Sequence, residues 1–382
     1  MWGSFVPLFG AIADMLVDML VDTLVDTLVD MFVNMLVDVS VDALVDMAIN
    51  MFITDYPSAS ICIVYACFFL GVSGTSVDSK SMQAICKLRL TSLDVSSTYI
   101  GDAGLTYLSK CRTLACLNAS FIQGATEPIL LETLRCLRDR LRVLTLAGNV
   151  VSNGLLAQSW LRLRELRLSS CSLFGDAGLQ AIAEGPMCET LEALSWDLSF
   201  ANLHNVTDAG FACLPEFTRL SHLCISSKCD YDHPFLGISG RVLHHIAQMP
   251  ALECLRFGLL RADAFADGPY LSFVAAAPRL TELDLGGSEH LLDSNLCELR
   301  TMPHLLRLGL SRCGQLTDEG IMALPSRLPN LRRISLYHTR VSRRSLIALQ
   351  QMPRLEEIIL DTAKLTTRLE MSHARLIKLR GS

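Results

Sequence analysis

Residues 305–324 read LLRLGLSRCGQLTDEGIMAL, and this stretch decides the fold. Leucines at positions 305, 308 and 310 form the pattern L-x-x-L-x-L, whose alternation is typical of a short strand with one buried face. Thr317 and Asp318 then precede an apolar-periodic segment, and threonine is favoured at the residue that caps the start of a helix. The stretch therefore predicts a strand, a turn and a helix in direct succession.

The same unit recurs along the chain. Its strand motif, with conservative replacements, occurs eleven times, and ten steps from Leu90 to Leu355 cover 265 residues, a mean period of 26.5. Thr207-Asp208-Ala209-Gly210 and Gly175-Asp176-Ala177-Gly178 repeat the helix-start signal. The strand motifs begin at Leu90, Leu114, Leu141, Leu163, Leu191, Leu220, Leu252, Leu280, Leu305, Leu331 and Leu355.

Prolines end the predicted helices. Pro250, Pro278, Pro303, Pro329 and Pro353 each lie two residues before the next strand motif, and proline cannot continue a helix. Leucine makes up 60 of the 302 residues from position 81 onward, as expected of a stacked array that fills the layer between strands and helices. The sequence therefore predicts an α/β solenoid, a horseshoe with parallel strands on its concave face and helices on its convex face.

The turns after two strand motifs carry cysteine, in Leu168-Ser169-Ser170-Cys171 and Leu310-Ser311-Arg312-Cys313. Together with a period inside the range of roughly 20–29 residues, this resembles the cysteine-containing class of leucine-rich repeats, found in F-box receptors and in ribonuclease-inhibitor-like proteins. The repeat sequence is also similar to that of leucine-rich repeat proteins of trypanosomatid parasites. The resemblance covers roughly residues 85–380. It implies an adaptor that recognises substrates for a ubiquitin ligase, with a Skp1-like linker and a cullin as partners, although no F-box is visible before Leu88.

The N-terminal part has a different composition. A four-residue unit such as Met15-Leu16-Val17-Asp18 recurs over residues 14–50. Its aspartates would circle a helix, and they are too costly for a bilayer. We therefore expect residues 1–50 to be disordered or missing from the mature protein. Within residues 51–80, the uncharged run 56–77 is expected to be buried, signal-like or membrane-associated. Residues 81–382 are expected to hold eleven to twelve repeats.

Charge and cysteine spacing exclude several classes of function. The net charge of −6 divides into −10 for residues 1–79 and +4 for the remainder, without a run of Lys or Arg. Nucleic acid is therefore not expected as a partner. The 14 cysteines form no C-x-x-C pair and are expected to be mostly buried free thiols in a reducing compartment. No phosphate loop, nucleophile elbow or zinc-protease motif occurs, so we expect neither an enzyme nor a cofactor.

The main expectation is a cytoplasmic protein that binds no metal, and two alternatives to it remain open. Cys224, Cys229, Asp232 and His233 fall in one long loop and have side chains that bind divalent ions. Glycosylation sequons begin at Asn118 and Asn205, and with the run 56–77 they would fit a secreted or membrane-anchored recognition ectodomain. For the segment from Cys224 to His233, we expect a plain variable loop that binds no metal.

The binding function is expected on the concave face. Side chains between the strand leucines project from it as a grid suited to holding another protein, and arginine and tyrosine are typical binding hot spots. Acidic and basic positions alternate there, so the expected partner is a protein or peptide of mixed charge. The sequence therefore predicts a non-enzymatic interaction scaffold. Its candidate binding residues are Asp94, Glu165, Arg167, Asp197, His222, Arg256, Glu282, Asp284, Arg307, Arg333, Tyr337, Glu357 and Asp361.

Overall fold

The computed structural model describes most of the chain from residue 69 onward. The described ranges are 69–75, 77–148, 151–198, 205–227, 238–258, 270–288, 291–361 and 376–380. The chain divides into two compact units, Met1–Arg140 and Leu141–Ser382. The predicted low-complexity segment 1–50 and the greater part of segment 51–80 lie outside the described residues.

The first unit alternates strands and helices. Its three strands pair in parallel in chain order, with Leu70 opposite Leu93 and Leu93 opposite Leu117. Backbone hydrogen bonds from Val72 N to Asp94 O and from Gly74 N to Ser96 O extend the first pairing. The elements are β1 Phe69–Gly71, α1 Ser79–Ile85, β2 Ser92–Asp94, α2 Gly101–Leu108, β3 Cys116–Asn118 and α3 Glu127–Leu137.

The second unit continues the alternation of strand and helix, and its strands also pair in parallel in chain order. Its strands are β4 Val143–Ala147, β5 Glu165–Ser169, β6 Ala193–Leu198, β7 His222–Ser227, β8 Cys254–Phe257, β9 Glu282–Asp284, β10 Arg307–Gly309, β11 Arg333–Ser335, β12 Glu357–Asp361 and β13 Leu376–Arg380. Its α-helices are α4 Asn153–Leu156, α5 Asp176–Glu184, α6 Val242–Ala247, α7 Tyr270–Val274, α8 Asp293–Glu298, α9 Asp318–Met322, α10 Leu324–Arg327 and α11 Arg343–Gln350, and Pro186–Glu189 and Asp208–Glu216 are 3₁₀ helices.

The predicted strand motifs form a central part of both cores. All three motif positions are buried in each of the eleven repeats, for example Leu305, Leu308 and Leu310. The predicted prolines lie between helix and strand, since α6 ends at Ala247 and β8 begins at Cys254 on either side of Pro250. These observations confirm the predicted α/β fold with parallel strands.

The first strand lies ahead of the predicted start of the array at residue 81. β1 lies in the C-terminal half of the apolar run 56–77, and Val72 and Val77, which follow it, are buried. The tripeptide Val72-Ser73-Gly74 directly follows β1. Gly74 has a φ of 70° there, a left-handed conformation that glycine adopts without steric cost.

The turns after β2, β5, β10 and β11 each direct one side chain into the core. Ser97, Ser170, Arg312 and His338 follow their strands with φ between 54° and 61°, and the next residue is buried in each case. Those residues are Thr98, Cys171, Cys313 and Thr339. Both thiols are buried, as the sequence predicts, and burial raises the pKa of Cys171 to about 11 and that of Cys313 to about 12.

Aspartates at helix starts hydrogen-bond to the next repeat. The carboxylate of Asp318 accepts hydrogen bonds from the backbone N–H and hydroxyl groups of both Ser342 and Ser345. Ser342 in turn caps α11 by accepting from Arg344 N at 3.2 Å. The same contact joins successive helix starts in five places, and we call these residues the aspartate ladder. It comprises Asp102 with Thr126, Asp176 with Thr207, Asp208 with Ser239, Asp293 with Thr317, and Asp318 with Ser342.

The ladder explains the glycine in the motif Thr-Asp-x-Gly. A Cβ atom on Gly320 would lie 2.4 Å from Oδ1 of Asp293, and one on Gly210 would lie 2.1 Å from Oδ1 of Asp176. Both distances are far below van der Waals contact. The glycine therefore makes room for the carboxylate of the preceding repeat.

We expect the ladder to make stability depend on acid pH. Burial would raise the pKa of Asp318, but hydrogen bonds from Ser342 and Ser345 outweigh it and lower the pKa below its ordinary value of 3.8. A depressed folded-state pKa stabilises the fold above the unfolded pKa, and this contribution is lost as the pH falls through the folded-state value. Asp318→Asn should therefore destabilise the protein at pH 7 and make its unfolding free energy less dependent on pH below 4. Urea unfolding between pH 2.5 and 7 measures both, and parallel pH profiles would contradict the assignment.

Candidate protein-binding site

The parallel register places the candidate residues in rows. One row of the second unit runs from strand to strand through His222, Cys254, Glu282, Arg307, Arg333 and Glu357. These residues alternate with the buried leucines, so they lie on the opposite face of the sheet. We call this the strand face.

Five charged residues on β8–β12 join in ion pairs on the strand face. Glu282 accepts from Arg256 Nη2 at 2.8 Å with one carboxylate oxygen and from Arg307 Nη1 at 2.9 Å with the other. Arg333 pairs with Glu357 through Nε. We call Arg256, Glu282, Arg307, Arg333 and Glu357 the arginine cluster.

The acidic and basic members of the arginine cluster differ in exposure. The carboxylates lie low, since the side chains of Glu282 and Glu357 are 16% and 8% exposed. The guanidinium-bearing side chains cover them and are 56% exposed for Arg256 and Arg307 and 48% for Arg333. The part of the cluster that meets solvent is therefore cationic, and arginine is the residue type that most often provides charged binding hot spots.

The ion pairs hold the cluster in its charged form. Burial would raise the pKa of Glu282, but the hydrogen bonds from Arg256 and Arg307 outweigh it and lower this pKa below the ordinary value of 4.5. The bond to Glu282 raises the pKa of Arg256. Next to it, burial and the nearby Glu282 raise the pKa of the Cys254 thiol to about 11. The raised pKa favours the neutral thiol of Cys254 beside the cluster.

Three candidate aspartates stabilise turns and strand ends. In the first unit, Asp94 accepts from Ser96 N and Oγ and from Asn118 Nδ2 at 2.9, 2.6 and 2.9 Å. In the second unit, Asp197 accepts from the hydroxyls of Ser169 and Ser226. Asp284 is half-buried, accepts from Gly286 N at 2.9 Å and lies against Gly309. Local hydrogen bonds thus already occupy these carboxylates.

The remaining candidates lie apart from the arginine cluster or at its edge. Glu165 and Arg167 pair with each other on β5 at 2.5 Å. His222 is exposed on β7, and its Nδ1 lies 2.8 Å from Ser221 Oγ. Tyr337 follows β11, half-buried, with its ring centroid 4.1 Å from that of His338. Asp361 ends β12 in register with Arg380.

Some charged groups beside the strand face were not predicted. Arg332 pairs with Glu356 at 3.6 Å, and Arg164 pairs with Glu192 at 3.9 Å, in each case between the residues directly preceding neighbouring strands. Each of these four residues directly follows the first leucine of the motif L-x-x-L-x-L and precedes the strand. Alternation within the strand therefore does not assign them to a face of the sheet. Recurrence of Arg and Glu at this position in adjacent repeats is the signal that would have identified them.

The described residues bear only in part on the two alternatives, metal binding and secretion. Cys229, Asp232 and His233 lie outside them, and within them no cluster of His, Cys, Asp and Glu is arranged to hold a metal ion. No helix in the described ranges has both the length and the hydropathy to span a membrane. The Asn118 side chain donates to Asp94 through Nδ2, the atom to which an N-linked glycan would be attached, and accepts from Ser120.

A comparison with protein families identifies three of the repeats directly. The leucine-rich repeat family matches residues 90–109, 163–183 and 301–324. Each match begins in or before a strand motif and extends into or through the following helix. No curated protein sequence matches the chain.

Several solved structures also match the chain. The complex of Rad7 and Elc1 in yeast matches at 18% identity and a TM-score of 0.48, covering 99% of this chain and 98% of that chain. An internalin (inlF) from Listeria monocytogenes matches at 17% identity and a TM-score of 0.43, covering 76% and 86%. TLR13, solved in complex with ssRNA13, matches at 18% identity and a TM-score of 0.43, covering 78% and 44%.

Proposed function

Since the chain carries leucine-rich repeats with parallel strands, we propose that it is a non-enzymatic scaffold that binds a partner protein through the strand face. The observation that carries the proposal is the arginine cluster, whose three arginine side chains are about half exposed above carboxylates that are nearly covered. Such groups lose little conformational entropy on binding, because ion pairs already hold them in place. The leucines fill the other side of each strand, which leaves the strand face for a partner.

The proposal predicts that a strand-face variant loses its partner. Replacing Arg307, Arg333 and Tyr337 together (R307Q, R333Q, Y337S) should weaken binding about 100-fold or more, because each hot spot contributes about 2 kcal/mol or more. The measurement is quantitative mass spectrometry of the proteins that co-purify with the C-terminally tagged full-length chain from its own cells. Wild-type protein should recover a stoichiometric partner, and the variant should not.

A matched control removes the same charge elsewhere in the second unit. Arg343 and Arg344 begin α11 and are exposed, so R343Q with R344Q should retain the partner. Equal recovery by the strand-face variant and wild type would refute the proposal, and it would direct attention to the helices or to residues 220–252. Unfolding midpoints of both variants verify that the fold is intact.

The adaptor role in a ubiquitin ligase is a separate prediction that rests on the resemblance to F-box receptors. The same co-purification tests it, because an adaptor should recover a Skp1-like linker and a cullin. A cytoplasmic location, the boundaries at residues 50 and 80, and the similarity to trypanosomatid proteins are likewise predictions. Free thiols and unmodified Asn118 and Asn205 in the purified protein are the expected result for a cytoplasmic chain.

A further inference from the structure

Within the part of the chain that the structure describes, the arginines of the cluster use only some of their hydrogen-bond donors. Hydrogen bonds among the described residues engage Nε and Nη2 of Arg256 and Nη1 of Arg307, and Arg333 contacts Glu357 through Nε. A guanidinium carries five N–H donors in a planar fork. Because the three side chains are 48–56% exposed, their remaining donors are accessible to a binding partner.

A partner that covers these groups has to supply acceptors. Burying a guanidinium donor without an acceptor carries a desolvation penalty. The carboxylates already present do not remove this demand, since Glu282 and Glu357 are nearly covered and Glu282 is shared by Arg256 and Arg307. Carboxylate oxygens from outside are the natural acceptors, because they accept from arginine in bidentate geometry.

The spacing of the arginines suits an extended segment. Arg307 and Arg333 are in direct register on adjacent strands, which lie about 4.8 Å apart. Arg256 lies two strands away from Arg307, on the far side of Glu282. In an extended chain, alternate side chains on one face repeat about every 6.6 Å. Two acidic side chains at alternate positions of a segment that runs across the strands would therefore be within reach of these long, exposed side chains.

We propose that the arginine cluster binds an acidic segment of the partner protein, in which carboxylate side chains pair with Arg307 and Arg333. This inference rests on the proposed strand-face function and assigns the chemistry of the partner. The low placement of Glu282, Glu357 and Asp284 matters here, because carboxylates on the same surface would otherwise repel an acidic segment.

The test uses the full-length protein and two labelled peptides. One is a twelve-residue peptide of alternating glutamate and glycine, and the other has glutamine in place of every glutamate. Fluorescence polarisation should show that the glutamate peptide binds at least tenfold more tightly than the glutamine peptide, with an affinity that falls as salt rises. R307Q with R333Q should lose at least tenfold in affinity for the glutamate peptide, whereas R343Q with R344Q should stay within twofold of wild type.

Two further variants separate binding from folding and from general charge. Arg333→Gln leaves the buried Glu357 without its ion pair, so R307Q with R333Q and E357Q removes both partners and should keep the wild-type unfolding midpoint while still losing the peptide. R307K with R333K keeps the charge but removes the fork, and it should bind with intermediate affinity. Equal binding of both peptides, or equal losses in R307Q/R333Q and R343Q/R344Q, would overturn the acidic-segment inference. The strand-face function would stand in that case if the triple variant still lost its partner on co-purification, and would fall separately if it did not.

Discussion

Gly320→Ala should destabilise the second unit by about 2–4 kcal/mol. The new Cβ atom would lie 2.4 Å from Oδ1 and 3.1 Å from Cα of Asp293. The carboxylate of Asp293 would then have to leave Thr317, from which it accepts the backbone N–H at 2.9 Å and the hydroxyl at 2.6 Å. The better helix propensity of alanine offsets at most about 1 kcal/mol of this loss. Urea unfolding monitored by far-ultraviolet circular dichroism measures the difference.

Gly314→Ala is the matched control for this substitution. Gly314 lies in the same repeat, and a Cβ there would have nothing within 4 Å, so the change should stay within about 0.5 kcal/mol of wild type. A double-mutant cycle adds a second check, because Gly320→Ala should cost less when Asp293 is already alanine. Equal losses for Gly314→Ala and Gly320→Ala would show that the close approach to Asp293 has no special energetic role.

The Thr-Asp-x-Gly motif predicts the helix start, but it does not predict the aspartate ladder that the same residues form. Thr317 was predicted as a helix cap, and it does accept from Glu319 N at 3.3 Å. Asp318 and Gly320 were part of the same motif, but their partners lie in the next and the preceding repeats. A local pattern specifies one helix, whereas these contacts depend on how neighbouring helices stack. The fold was therefore predictable from the leucines, and the inter-repeat contacts were not.

The strand face was predictable to a similar extent. Alternation with the leucines predicts Arg256, Glu282 and Arg307 on one face, and in the structure their side chains form ion pairs with one another. Which charges pair, and which group stays exposed, follows from the parallel register and from side-chain length. Arginine reaches over glutamate, so the acidic positions become covered while the basic ones remain accessible. The same alternation predicts Asp94 as a binding residue, and its short side chain accepts hydrogen bonds from Ser96 and Asn118.

Leu308→Ala should cost about 2–5 kcal/mol of stability, as truncation of a buried leucine does through lost burial and the cavity left behind. Leu308 is the central leucine of β10 and is 2% exposed. It lies in register with Leu283 on β9 and Ile334 on β11. Leu283→Ala, at 0% exposure, should have an effect of the same size. Chemical unfolding measures both, and Leu173→Ala is the control because Leu173 is 48% exposed.

The distribution of lost hydrogen-exchange protection along the chain distinguishes a repeat array from a single cooperative core. In a repeat array each unit contacts chiefly its neighbours, so stability is close to a sum of local terms. Leu308→Ala should therefore reduce amide hydrogen-exchange protection most in β9, β10 and β11, and less in β5 and β6. Uniform loss of protection across the second unit would mean that its repeats unfold as one body. In that case, the Gly320→Ala and Leu308→Ala effects would also have to appear in β5, far from either substituted residue along the strand order.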